Sequence, residues 1–218
     1  MSYIVKEKYI SEEEISELLD IFNDCNKDTG WHRSIAVSSE YNSDSTTTSR
    51  IAESIRLRED KLPEWFRDRL CDSATKLSGR KAILNEDLTI QKYLGSRNGK
   101  FDWHQDILDW FIYSKDDLLK TPEELFIKNT RPKRMVSASI ALEDYNDYEG
   151  GQFVLDKGDG KKSPVNLNKG DMVMFTSETF HGVEPVTKGD RNAIIIWLIS
   201  YEEYIQWKQL CDIDTERE

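Results

Sequence analysis

Hydrophobic residues in the first third of the chain recur at the spacing of amphipathic helices. Ser11 followed by Glu14 is the pattern of a capping box, and the apolar side chains that follow predict a helix over residues 11–25. Pro63, a residue suited to a first helical turn, precedes a second apolar series at the same spacing. This series predicts a second helix from about residue 62 to 78.

The segment between these helices has a different character. Residues 28–50 are rich in Ser, Thr, Asn and Asp and show no sustained hydrophobic period. Such clusters are typical of loops, so we expect a loop with at most one short strand. His32 lies in this segment without a partner at ligand spacing, and we interpret it as a loop residue.

Beyond residue 82 the pattern changes to short β-branched and aromatic runs separated by Gly, Asn, Asp and Pro, which predicts a series of strands. Because helices precede these strands and do not alternate with them, an antiparallel sandwich or barrel is favoured over a doubly wound parallel sheet. A terminal helix that packs on the sheet is predicted over residues 201–210. The predicted strands are LTIQKYL, MVSASIAL, GGQFVL, SPVNL, DMVMF, HGVEPV and RNAIIIWLIS.

The chain of 218 residues is long enough to bury one sizeable core, and we expect a single domain. Residues 1–81 are predicted to support that core with helices and loops. Residues 82–200 would form the β core and residues 201–218 the terminal helix. Residues 107–133 interrupt the strands, and they predict an insertion that either acts as a lid or covers a sheet edge.

Charge and cysteine content narrow the function classes. A formal net charge of -11 repels a phosphate backbone, so DNA and RNA are disfavoured partners. No stretch approaches the roughly 20 apolar residues of a membrane span, and the first ten residues lack the apolar core of a secretion signal. The three widely spaced cysteines, Cys25, Cys71 and Cys211, fit reduced thiols. We therefore expect a soluble cytoplasmic protein.

Two of the three histidines lie where they could share a metal ion. Residues i and i+2 of a strand face the same side, so His104 and Asp106 in FDWHQD can present an imidazole and a carboxylate together. His181 follows the predicted strand DMVMF, and antiparallel pairing could bring it beside them. An H-x-D motif alone is weak, and a polar strand end is the alternative.

Two imidazoles and one carboxylate would leave three positions of an octahedral ion open, which is what non-haem iron(II) oxygenases need. A structural zinc site would be closed by four ligands, usually with cysteine, and no cysteine lies near either histidine in the sequence. Arg191 begins an apolar strand ten positions beyond His181, where a buried guanidinium needs an anion. That anion is either the far carboxylate of a metal-chelating 2-oxoacid or a structural Asp or Glu.

Four segments, taken together and in this order, carry a family resemblance. They are YLGSRNGKFDWHQD, RMVSASIALEDYNDYEGGQFVL, NKGDMVMF and HGVEPVTKGDRNAIIIWLIS. With their H-x-D, the paired glycines Gly150 and Gly151, a Lys-Gly-Asp turn, a distal histidine and an arginine, they resemble the iron(II)- and 2-oxoglutarate-dependent dioxygenases of the prolyl 4-hydroxylase type, including the bacterial PKHD-type hydroxylases. The resemblance covers about residues 82–200.

The resemblance implies a mainly β fold with flanking α-helices, built on a double-stranded β-helix core of the jelly-roll or cupin type. It implies that iron(II) is bound by His104, Asp106 and His181. Arg191 would then bind the C5 carboxylate of 2-oxoglutarate. Tyr93 matches a family tyrosine that reaches the same carboxylate, although a core aromatic explains this residue equally well. Ascorbate is a further candidate ligand on the same basis.

Three positions refine what the resemblance implies. Phe101 departs from the family, where a tyrosine commonly lies three positions before the first histidine, so a hydroxyl contact is lost there. Trp197 matches a family tryptophan near the site, and core packing would also explain it. Asp106 is retained, whereas related halogenases lack this carboxylate. Hydroxylation of a C–H bond, with dioxygen consumed and succinate and carbon dioxide released, is therefore expected.

The substrate is open at this stage. Family analogy favours a prolyl residue in a peptide or protein, followed by a free amino acid or another small molecule. A non-catalytic, metal-containing β-barrel binding module is an alternative, but a purely structural metal has no use for a cosubstrate anchor such as Arg191 or Tyr93. A nucleic-acid demethylating oxygenase would share the iron chemistry, and the acidity of the chain counts against it.

Overall fold

A computed structural model describes residues 3–28, 30–38, 47–107 and 132–215 of the chain. Within these ranges the helices are α1 (Glu12–Cys25), α2 (Glu64–Ser78) and α3 (Tyr201–Thr215). The strands are β1 (Tyr3–Lys6), β2 (His32–Ser38), β3 (Thr47–Leu57), β4 (Ala82–Leu84), β5 (Leu88–Leu94), β6 (Lys100–His104), β7 (Arg134–Ala141), β8 (Glu149–Gly150), β9 (Phe153–Asp156), β10 (Lys162–Val165), β11 (Met172–Thr176), β12 (His181–Val183), β13 (Val186–Lys188) and β14 (Asp190–Ser200).

Twelve strands of the described ranges join one curled sheet. Its order is β1-β11-β7-β14-β5-β3-β6-β12-β9-β10, with β2 beside β3 and β4 beside β14. The strand pairs are antiparallel, and so is the separate pair formed by β8 and β13. The predicted mainly β fold with flanking helices is confirmed, and so is the preference for an antiparallel sheet.

The alternation of side chains along β14 separates a hydrophobic core from the site. Ile194, Ile196 and Leu198 are buried in the core cluster that also contains side chains of α1 and α2. Arg191 and Trp197, which lie on the other face of the strand, line a cavity inside the curl of the sheet. Successive residues of a strand point to opposite faces, so one strand both anchors the helices and presents polar groups to the cavity.

Both predicted N-terminal helices are confirmed, and their ends follow the expected local chemistry. At α1 the Ser11 backbone N–H donates to Glu14 Oε2 at 2.9 Å, and the Glu14 backbone N–H donates to Ser11 Oγ at 3.2 Å. This is a complete capping box. Helix α2 begins directly after Pro63 and ends at Gly79, whose φ of 72° is a left-handed conformation that glycine adopts without strain.

The expectation of a loop over residues 28–50 is wrong. The described part of this segment includes β2 and the beginning of β3, and His32 is the exposed first residue of β2. β3 pairs with β2 on one side and with β5 and β6 on the other, so backbone hydrogen bonds to distant strands hold it in the sheet. The sequence of β3 lacks the usual hydrophobic alternation of a strand, because Arg50, Ser54 and Arg56 line a cavity and not an apolar core.

The remaining expectations concern the insertion and the C-terminus. The predicted lid-like insertion over residues 107–133 falls almost entirely on residues 108–131, which lie outside the described ranges. The terminal helix is confirmed and extends to Thr215 as α3. It follows β14 directly and is tied to the sheet by Arg80, whose Nη2 lies 3.0 Å from Glu203 Oε1. None of the helices described is long and apolar enough to cross a membrane.

Candidate metal centre

The pairing of β6 with β12 brings the two candidate histidines together. His104, the last residue of β6, lies directly opposite His181, the first residue of β12. The Nε2 atoms of His104 and His181 lie 3.4 Å from Oδ1 and Oδ2 of Asp106, respectively. One ligand atom from each of the three residues lies within 4.8 Å of the others, a spacing that one metal ion could bridge.

The structure reaches this arrangement by a route that differs in part from the expected one. Asp106 lies two residues beyond the end of β6, so strand alternation alone does not place it. Its backbone N–H donates to Ser177 O at 3.0 Å, which continues the extended path of the chain past the strand. For His181 the expected route is confirmed: it begins β12 after the strand DMVMF, and antiparallel pairing with β6 brings it beside His104.

Gly182 allows β12 to approach β6 closely enough for the histidines to meet. A Cβ atom at this position would lie 2.8 Å from the carbonyl oxygen of Phe101 on β6, closer than side-chain carbons are found in proteins. A larger residue would therefore push the two strands apart and displace His181. The close approach of the two strands therefore explains why a glycine occupies position 182 in the TFHGVEP segment.

Backbone carbonyls orient both imidazole rings. His104 Nδ1 lies 2.7 Å from Asp102 O, and His181 Nδ1 lies 3.0 Å from Thr179 O. Because a carbonyl oxygen only accepts hydrogen bonds, each Nδ1 carries the proton in these contacts. Each Nε2 faces the shared centre, where it would offer its lone pair when a metal binds, which is the form in which histidine binds a metal.

The carboxylate of Asp106 is held from a third side by an indole. Trp197 Nε1 donates to Asp106 Oδ2 at 2.9 Å, and the Asp106 residue is only 8% exposed. Burial raises the pKa of this carboxyl group, but the facing imidazoles of His104 and His181 outweigh burial, and the pKa lies well below its ordinary value. The side chain is thus a deprotonated, oriented ligand.

A small inner cavity adjoins the three residues on one side. Arg191 on β14 lies directly opposite Tyr93 on β5, and both are nearly inaccessible, at 3% and 1% exposure. Arg191 Nη1 is buried without a hydrogen-bond partner. The cavity has a volume of about 30 Å³, which is room for about two water-sized groups and therefore for a carboxylate.

Tyr93 lines the inner cavity and contacts one residue through its ring and another through its hydroxyl. The guanidinium of Arg191 lies 5.5 Å from the ring centre, and the hydroxyl donates to Gln91 Oε1. Burial raises the pKa of Tyr93 to about 12, so the hydroxyl stays protonated at neutral pH. Sequence reasoning missed Gln91, although it lies two residues before Tyr93 and hence on the same face of the strand LTIQKYL.

A much larger outer cavity of about 680 Å³ adjoins the same centre on the other side. His104, Asp106 and Gln91 line both cavities, whereas Arg191, Tyr93 and His181 line only the inner one. The wall of the outer cavity carries many charged residues, among them Arg50, Arg56, Glu86, Asp87 and Arg134. Sequence reasoning missed Arg50 and Arg56 because they lie on β3, partly in the segment interpreted as a loop.

The donor set favours an open metal site over a closed structural one. Among the described residues, the group of His, Cys, Asp and Glu side chains that could hold a metal consists of His104, Asp106 and His181. Cys25, Cys71 and Cys211 form no disulfide and take no part in it. Two imidazoles and one carboxylate on one face of an ion, inside a curled antiparallel sheet, are the fold and donor set of non-haem iron(II) oxygenases.

Comparison with known proteins gives the family. The model of the 2OG-Fe(II) oxygenase superfamily matches residues 88–199, just over half of the chain. The chain belongs to this superfamily, and the resemblance stated from the sequence is confirmed. A PKHD-type hydroxylase of Idiomarina loihiensis is 36% identical over 75 residues, which cover 34% of each protein. The match thus spans about a third of that relative's length.

Two solved structures show the same fold. A prolyl-4-hydroxylase of Pseudomonas putida is similar with a TM-score of 0.60 at 16% identity, over 91% of this chain and 92% of that one. A prolyl hydroxylase of Trichoplax adhaerens, solved in complex with a peptide fragment of the hypoxia inducible factor oxygen degradation domain, is similar with a TM-score of 0.58 at 15% identity, over 94% and 86% of the two chains. The double-stranded β-helix, or jelly-roll, is therefore confirmed.

Proposed function

We propose that the protein is a 2-oxoglutarate-dependent dioxygenase that hydroxylates a C–H bond, with iron(II) held by His104, Asp106 and His181. The observation that carries the proposal is Arg191, a nearly inaccessible guanidinium beside these three residues whose Nη1 has no partner. A buried cation is costly without an anion. The C5 carboxylate of 2-oxoglutarate supplies that anion within the inner cavity.

Different residues around the centre would bind the metal, orient its ligands and bind the cosubstrate. When bound, iron(II) supplies the redox chemistry that couples oxidative decarboxylation of 2-oxoglutarate to hydroxylation. His104 and His181 are held by backbone carbonyls with their Nε2 lone pairs toward the metal, and Trp197 holds one oxygen of Asp106. Arg191 offers a planar pair of N–H donors to the far carboxylate.

Tyr93 and its surroundings complete the inner cavity in this proposal. Its hydroxyl orients Gln91, and its ring lies beside the Arg191 guanidinium. The aromatic side chains of Phe153 and Phe175 line the same cavity and reduce its water content. The cosubstrate carboxylate would therefore contact a mostly apolar wall that contains one cation, the Arg191 guanidinium.

For the substrate, a prolyl residue in a peptide or protein is our first proposal. It is supported by the names of the similar structures, a prolyl-4-hydroxylase and a prolyl hydroxylase bound to a peptide fragment. The outer cavity of about 680 Å³ has room for several residues of a peptide. A free amino acid or another small molecule is the second candidate, favoured by the charged groups that line this cavity, since a proline ring has no use for them.

The wider proposal includes dioxygen as the second cosubstrate, ascorbate as an accessory ligand, a single domain and a cytoplasmic location. Cys25, Cys71 and Cys211 are not joined in disulfides, which supports a reducing compartment. Dependence of turnover on added ascorbate tests that ligand directly. The rival of another class, a non-catalytic binding module, predicts metal binding without any turnover.

The experiment that tests the proposed function follows 2-oxoglutarate turnover with iron(II) present. The protein is incubated with a library of proline-containing peptides and with free amino acids, succinate is measured, and each candidate is examined by mass spectrometry for the gain of one oxygen atom. We expect succinate formation that requires Asp106 and a product oxidised by one oxygen. Succinate release that is the same in wild type and Asp106→Ala would contradict the proposal.

A further inference from the structure

Arg50 is a second arginine beside the candidate metal centre, on the opposite side from Arg191. The register of β3 against β6 places Arg50 directly opposite Phe101. Its guanidinium carbon lies 5.0 Å from the centre of the Phe101 ring. The Phe101 ring in turn stacks on the His104 imidazole with 3.6 Å between ring centres. The guanidinium is thus separated from a candidate metal ligand by a single aromatic ring.

This arginine forms no ion pair in the part of the chain that the structure describes. Its Nε is buried without a hydrogen-bond partner, and no carboxylate of the described residues forms an ion pair with it. Burial lowers the pKa of Arg50, while the nearby Tyr93 and Asp106 act in the opposite direction. The cation is therefore poorly compensated in the protein alone, which costs free energy unless a ligand supplies an anion.

The other arginines of the outer cavity differ from Arg50 in this respect. Arg134 is neutralised by Glu86, with Nε 2.8 Å from Oε1. Arg56 is exposed to solvent. Arg50 is half-buried, as Arg134 is, but unlike Arg134 it forms no ion pair with a described carboxylate.

The cavity that Arg50 lines indicates which ligand its guanidinium would contact. Arg50 lines the outer cavity and not the inner one, whereas Arg191 lines the inner cavity and not the outer one. If the C5 end of the cosubstrate occupies the inner cavity with Arg191, the outer cavity is left for the primary substrate. The formal charges of the outer wall balance, with Arg50, Arg56 and Arg134 against Glu86, Asp87 and Asp106. Such a wall suits a single carboxylate better than a polyanion.

We propose that Arg50 binds a carboxylate of the primary substrate, so that the substrate is an acidic compound whose carboxylate lies close to the hydroxylated carbon. This rests on the proposed function of the same site. A guanidinium fixed on an aromatic ring presents a planar pair of donors that matches a carboxylate in a bidentate contact. The carboxylate belongs either to a free or N-acylated amino acid or to an acidic residue next to the target residue of a peptide.

The test uses the protein loaded with iron(II) and saturating 2-oxoglutarate under anaerobic conditions. Matched probes differ only in charge: N-acetylproline and its methylamide, and a capped peptide with a Glu-Pro pair and its Gln-Pro counterpart. Binding is followed as the change that each probe causes in the visible absorption band of the loaded protein, and independently by NMR of the Arg50 guanidinium N–H. The variants are Arg50→Gln and Arg50→Lys, with Arg58→Gln as a matched control that lies just after β3 and outside both cavities.

We expect at least one carboxylate probe to bind wild type more tightly than its uncharged counterpart. Its affinity should fall by about tenfold or more in Arg50→Gln, which is the usual effect of losing a hydrogen bond to a charged group. Arg50→Lys should recover part of the loss, and Arg58→Gln should show none. The N-acetylproline pair and the peptide pair then distinguish a small acidic substrate from an acidic peptide.

Two results would overturn the proposal. One is that no carboxylate probe binds wild type better than its uncharged counterpart. The other is that Arg50→Gln weakens 2-oxoglutarate as strongly as Arg191→Gln does, because Arg50 would then belong to the cosubstrate. The absorption band itself tests the proposed function separately: its absence in wild type contradicts the dioxygenase, whereas the NMR titration still decides whether Arg50 binds carboxylates.

Discussion

The two cavities beside the candidate metal centre differ in lining, size and origin. The inner cavity is small, largely aromatic and apolar, and contains one buried guanidinium, Arg191, opposite Tyr93. The outer cavity is more than ten times larger and is lined by charged residues from β3, from the segment after β4 and from β7. The inner cavity offers one cation in a mostly apolar wall, which suits one small anionic group, whereas the outer cavity offers charges of both signs and room for a larger ligand. Substrate choice is therefore to be sought in the outer cavity.

The largest expected effect concerns the centre that both cavities share. Asp106→Ala removes the carboxylate between the two imidazoles, so iron(II) binding and succinate formation should fall to background. Metal content and succinate release measure this. The matched control is Asp102→Ala, an exposed aspartate on β6 whose backbone carbonyl still holds His104. Full metal-dependent turnover in Asp106→Ala would show that the metal lies elsewhere.

The next effect separates the two cavities. Arg191→Gln should weaken 2-oxoglutarate binding by at least about 30-fold, because it removes a buried charged hydrogen bond to the cosubstrate. The binding of iron(II) alone should change little. Equilibrium titration with 2-oxoglutarate measures both the variant and the control Arg97→Gln, an arginine outside both cavities that pairs with Glu53 at 2.9 Å. Equal affinities in wild type and Arg191→Gln would assign the cosubstrate to another cation.

A moderate effect is expected from the indole that holds Asp106. Trp197→Phe keeps most of the ring volume and removes the N–H that donates to Asp106 Oδ2. Loss of such an outer hydrogen bond typically weakens metal affinity or activity by about 10- to 100-fold. Iron(II) titration should show this loss in Trp197→Phe and none in Trp65→Phe, an indole on α2. An unchanged iron affinity would mean that Trp197 only fills space.

The smallest effect at neutral pH concerns Tyr93, whose pKa is raised to about 12 by burial. The folded chain therefore holds this proton more tightly than the unfolded chain does. The corresponding contribution to the free energy of unfolding is complete below about pH 10 and is lost as the pH rises to about 12, an effect of at most about 3 kcal/mol.

Denaturant unfolding at a series of alkaline pH values measures this contribution. The loss of stability should be smaller in Tyr93→Phe than in wild type. It should be unchanged in Tyr145→Phe, because Tyr145 is exposed. The same alkaline slope in wild type and in Tyr93→Phe would show that Tyr93 is not the group that titrates.

Much of the fold was predictable because its signals are local. The capping box at Ser11, the stop at Gly79 and the β-branched runs after residue 82 each depend on neighbouring residues, and they produced the correct helices and strands. β3 was missed because its place in the sheet depends on pairing with β5 and β6, which lie far along the chain. Its polar side chains also face a cavity, so the usual hydrophobic alternation is absent.

The same distinction holds for the site. The H-x-D spacing and the family resemblance identified the residues that meet at the centre. The contact of Trp197 with Asp106, however, joins residues 91 positions apart, and no local pattern encodes it. Arg50 could not be identified, because its importance comes from the strand register that sets it against Phe101 and from the absence of an ion pair to it among the described residues. Such features depend on long-range packing.

The most direct test of the central claim is an anaerobic titration of the wild-type protein with iron(II) and then with 2-oxoglutarate, followed by visible absorption. The account predicts a weak charge-transfer band that saturates at one iron and one 2-oxoglutarate per chain and that is missing in Asp106→Ala. No band at saturating concentrations of both ligands would contradict it and would favour a binding module that carries out no oxidation.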